Sequence, residues 1–110
     1  MSKQKAFAVM PPLERGELIQ ALAKQARSPS EIRPMAKAVV ALSVIFDCNP
    51  IRLAPVFDQL LRLYDKSASD SEEVADMLTV ATKRSAASFE DMVVAMLVAK
   101  GASAPSALAA

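Results

Sequence analysis

Met35-Ala-Lys-Ala-Val-Val-Ala-Leu-Ser-Val-Ile-Phe46 decides the fold, because Lys37 and Ser43 are its only polar residues. A helix that is apolar around its whole circumference has to be covered on every side. The stretch therefore reads as the central core helix of a bundle, over about residues 34–47. Just upstream, Ser28-Pro29-Ser30-Glu31 has the form of a capping box with proline at the first helical position. Pro34 would cost a helix started at Pro29 one backbone hydrogen bond. The expectation is a short turn over 29–33, with the regular helix beginning at Pro34.

Working outward, proline and capping residues divide the rest of the chain into further helices. Pro12 to Arg27 places Leu18, Ile19, Leu22 and Ala26 on one face, with acids early and bases late as the helix dipole favours. Asn49-Pro50 repeats the cap-and-proline device and opens a helix from Pro50 or Pro55 to Lys66. That helix turns Val56, Phe57, Leu60, Leu61 and Tyr64 inward, and Asp58 and Arg62 toward solvent. Pro29 and Pro34 are spaced like Pro50 and Pro55, which hints at a duplicated unit of 21 residues. Ser67 to Ser71 reads as a polar loop and the best candidate hinge. Ser69…Glu72 or Asp70…Glu73 then caps a fourth helix with Val74, Met77, Leu78 and Ala81 on its apolar stripe. Ser88 starts a fifth, with Phe89, Met92, Val93, Met96 and Leu97 on one stripe and Gly101 as its left-handed stop.

No segment alternates with period two long enough to form a strand. The reading is all-α: a compact bundle of four to five short helices. It has a flexible N-terminal arm (1–11), a single helical domain (12–101) and a disordered tail (102–110). At 110 residues the chain is one domain that buries about two thirds of its extended surface.

Composition excludes several kinds of chemistry. With no histidine, the commonest general base and metal ligand are missing. Cys48, the single cysteine, has no base to activate it and reads as an inert, buried thiol in a reducing compartment. Asp70, Glu72, Glu73 and Asp76 lack the glycine and terminal glutamate of a calcium loop and read as acids at a helix N-terminus. Gly16 and Gly101 stand apart, so there is no phosphate loop. The apolar stretch Ala6–Met10 is too short for a secretory leader, and the nine-residue run Ala38–Phe46 is far short of the ~20 residues of a membrane span. These features imply a cytoplasmic protein without catalytic residues, cofactor or metal.

Two functional readings remain. The central and fifth helices carry more apolar surface than a monomer of this size should cover. Such surface marks partner sites, so the preferred reading is a non-enzymatic interaction or adaptor protein. It would work as a homo-oligomer, a dimer first of all, or dock a protein partner, through Phe89, Met92, Val93 and Met96. The alternative is DNA binding. Residues 1–40 hold seven bases against three acids, a net +4, while residues 41–110 hold six against nine, a net −3. Lys24, Arg27 and Arg33, joined by Lys83 and Arg84, could form a phosphate-facing patch. Against it, the fifth helix opens with Glu90 and Asp91, which would repel phosphate in the groove.

Overall fold

Prolines at helix starts set the order of the elements. In a computed structural model describing residues 12–102, the chain forms α1 (Pro12–Ala23), α2 (Pro29–Phe46) and α3 (Pro50–Leu63). A 3-10 turn (Ala68–Asp70) leads into α4 (Ser71–Arg84), and α5 (Phe89–Ala99) closes the bundle. No strand occurs among the described residues, so the all-α bundle is observed. The expectations for an N-terminal arm over 1–11 and for the tail beyond residue 102 lie outside the described residues.

α2 begins five residues earlier than expected. Glu31 reaches back to accept a hydrogen bond from the Ser28 amide at 3.0 Å, and Ile32 N–H donates to the Ser28 carbonyl at 2.9 Å. The first turn is thus secured before Pro34 is reached. Pro34 withholds one hydrogen bond, from the Ser30 carbonyl, but Ser30 is exposed and water can serve it. α3 solves the same problem in the same way. Asn49 Oδ1 accepts from the Ile51 amide at 2.9 Å, and the helix continues through Pro55.

α2 packs against α1, α3 and α4. Met35, Val39 and Leu42 are fully buried, with Ala36, Ala38, Val40 and Ala41 closing the remaining sides. Its last turn escapes cover, where Val44 and Ile45 are exposed. A left-handed residue, Asp47, ends the helix, and α3 departs at 119° to it. No single helix among the described residues is long and apolar enough to cross a membrane.

Further expectations are corrected. α1 stops at Ala23 rather than Arg27, and Ala26 sits beyond it with φ +62°. Leu18 and Leu22 enter the core while Ile19 stays exposed. The candidate hinge Ser67–Ser71 is a pinned corner. There Asp70 Oδ2 accepts from the Ser67 amide at 2.9 Å, and buried Ser71 donates to the Ala68 carbonyl at 2.6 Å. Ser67…Asp70 is thus the capping box of the 3-10 turn. Asp70 is the N-cap of α4, as one of the expected pairs places it, but without a side-chain cap hydrogen bond. Finally, Asp58 faces inward, not to solvent: it is 4% exposed.

Candidate functional site

α4 carries acids in its first turn, Glu72 and Glu73, and bases in its last, Lys83 and Arg84, which suits the helix dipole at both ends. Its buried residues are Ser71, Val74, Ala75, Leu78 and Thr82. The apolar stripe is thus rotated from the expected one: Val74 and Leu78 are interior, but Met77 is 52% exposed and Ala81 also faces out. Val80 joins them at 48% exposure. With 3.6 residues per turn, Glu73, Met77, Val80 and Arg84 fall within a sector of about 60° on the side away from the core. An open, shallow groove runs along this face, with Glu72, Glu73 and Asp76 lining its acidic part, Met77 and Val80 its apolar middle and Arg84 its basic end.

The contact residues expected on α5 divide. Phe89 is 5% exposed and Val93 fully buried. Phe89 stacks on Phe46 with ring centroids 4.4 Å apart and planes 3° from parallel. Both belong to the core, and neither can meet a partner without opening it. Met92 and Met96 are half-buried, and the Met96 carbonyl accepts from Tyr64 Oη at 2.9 Å. Lys100 Nζ lies 4.8 Å above the Tyr64 ring. α5 uses its apolar stripe to close the bundle over α3 and α4.

The expected basic patch also divides. Lys24, Arg33, Lys83 and Arg84 are exposed, but Arg27 is turned into an ion-pair cluster. Arg27 Nε donates to Asp58 Oδ1 at 2.6 Å and Nη1 to Glu31 at 2.9 Å. Arg62 Nε reaches the other Asp58 oxygen at 2.9 Å, and its Nη2 donates to the Gln25 carbonyl at 2.7 Å. Desolvation lowers the Arg27 pKa, but its hydrogen bonds to Asp58 and Glu31 outweigh this, and the pKa ends above its ordinary value. The Ser28 amide, with help from Arg27, holds the Glu31 carboxyl down at about 2. This cluster ties the α1–α2 corner to α3, so Arg27 is held away from any phosphate. The charge asymmetry of the sequence signals this cation without revealing its partner.

No chain in comparisons with protein-family models, curated proteins and solved structures matches this one. Among the described residues, no three His, Cys, Asp or Glu side chains come together as a metal-binding group.

Cys48 is half-buried at the α2–α3 corner. Burial, reinforced by Glu90 and Asp47, lifts its thiol to about 11. At pH 8 the folded protein thus holds far less thiolate than an unfolded chain, whose thiol titrates near pH ~8.5. The greater nucleophilicity of a more basic thiolate recovers only part of that deficit. Iodoacetamide is expected to label Cys48 at least tenfold more slowly in the native protein than in urea. Equal rates, read by mass spectrometry, would contradict an inert thiol.

Proposed function

We propose that this protein is a non-enzymatic helical interaction protein that works as a homo-oligomer, with the outward face of α4 as its contact surface. The observation that supports this reading most directly is the exposure of Met77 and Val80, about half each, at the centre of a face bounded by opposite charges. Apolar side chains clustered within a charged rim have the anatomy of an interface centre. Methionine suits such a place because it adapts its shape to what it meets. A single half-buried thiol fits a reducing compartment such as the cytoplasm. The DNA-binding alternative retains four exposed cations but loses Arg27 to Asp58, and no observation favours it.

Light scattering coupled to size exclusion tests the reading. The wild type is expected to rise above the 11.7 kDa monomer mass as its concentration increases from about 10 µM to about 1 mM, the range for a small interface. Met77→Lys with Val80→Lys is expected to stay monomeric with wild-type helicity, because both side chains already face solvent. Association that survives the double substitution would place the interface elsewhere.

A further inference from the structure

We infer that two copies of the chain pair through α4 in antiparallel fashion about a two-fold axis crossing the helix between Leu78 and Thr79, so that Glu73 of each copy meets Arg84 of the other. The inference rests on the reading of α4 as the contact face and adds its geometry. The spacing of the outward stripe carries it. Glu73, Met77, Val80 and Arg84 are separated by four, three and four residues, the alternation that keeps side chains on the seam of a two-helix contact. A two-fold contact has to be complementary to itself: whatever residue i meets, its own copy must meet in return. For an antiparallel pair centred between positions 78 and 79, position 73 faces 84 and position 77 faces 80. This register puts each acid of the stripe on a base and each apolar side chain on an apolar one.

The charge order along the helix chooses this orientation. The first turn of α4 is acidic and the last basic, so a parallel pair would set Glu73 against Glu73 and Arg84 against Arg84. An antiparallel pair also sets the helix dipoles head to tail. α4 is 14 residues long, about 21 Å. The contact therefore lies at the lower end of interface sizes, where reversible, concentration-dependent pairing is expected rather than a permanent dimer.

Charge reversal tests the register in the full-length protein. Glu73→Arg or Arg84→Glu alone places like charges together at both ends of the seam, and each is expected to weaken self-association at least tenfold by sedimentation equilibrium. Combining them restores opposite charges across the axis and should bring the dissociation constant back to within about threefold of wild type. Reversal also works against the helix dipole, so circular dichroism accompanies every variant. Should a reversed helix unravel, Arg84→Gln gives the milder test, with an expected weakening of about threefold.

A double reversal as weak as the single ones overturns the register. If Met77→Lys with Val80→Lys abolishes association in that same case, the contact face stands and only its geometry falls. A wild type that remains monomeric at about 1 mM overturns both, whether residues 1–11 or another protein covers the face.

Discussion

Replacing Asp58 with alanine is expected to destabilise the fold by about 3–5 kcal/mol, the cost of leaving a buried charge without its partner. The Arg27 side chain is 7% exposed and that of Asp58 5%, and their contact at 2.6 Å joins the α1–α2 corner to the middle of α3. With the carboxylate gone, Arg27 would keep only Glu31, which is 39% exposed and linked to solvent. Arg27 Nη2 is already buried without a hydrogen-bond partner, so the cluster has no spare acceptor to offer. In a domain of this size each kcal/mol moves Tm by about 4–8 °C, so thermal denaturation followed by circular dichroism should show a fall of roughly 20 °C. Replacing the pair together, Arg27→Met with Asp58→Leu, is expected to recover most of the loss, because packed apolar groups can substitute for a buried ion pair. A single-site cost below about 1 kcal/mol would show that water reaches the pair and screens it.

Phe89→Ala is expected to cost about 3–5 kcal/mol, typical of removing a buried ring and leaving a cavity, and to leave any self-association unchanged. The ring stacks on Phe46 and so fastens the start of α5 to the end of α2. The other end of α5 is held by the Tyr64–Met96 hydrogen bond and by Lys100 above the Tyr64 ring. Urea denaturation measures the loss, and light scattering on the still-folded fraction measures the mass. A variant that unfolds no more readily but changes its mass would return Phe89 to the role of a contact residue.

Much of the fold was legible because its signals are local. Proline after an asparagine cap marks Pro50 as a start for α3, and the same cue at Ser28-Pro29 marks α2, although Pro34 argues for a later start. The nearly unbroken apolar stretch around Val39 had no solvent-compatible placement. The misreadings have other origins, a partner distant in the chain or a polar group satisfied within its own turn. Asp58 follows the pattern of a solvated helix face, and only Arg27, 31 positions away, makes its burial tolerable. On α4, Ser71 and Thr82 look like surface residues but are buried. Ser71 satisfies its hydroxyl on the Ala68 carbonyl and so can occupy an interior position. Including those two among the core positions rotates the stripe and turns Met77 outward. Phe89 and Val93 were recognised as apolar and important, but periodicity cannot say whether an apolar stripe faces its own bundle or another molecule.

The three-sided enclosure of α2 has a consequence during synthesis. Its cover comes from α1 before it and from α3 and α4 after it, so the interior cannot be completed while the ribosome is still making the second half of the chain. Until α4 has emerged, Val39, Leu42 and their neighbours stand partly bare to solvent, where transiently exposed apolar surface invites aggregation. A message truncated ahead of Ser71 would release a fragment permanently in that state, fit for chaperones and proteases rather than for partners.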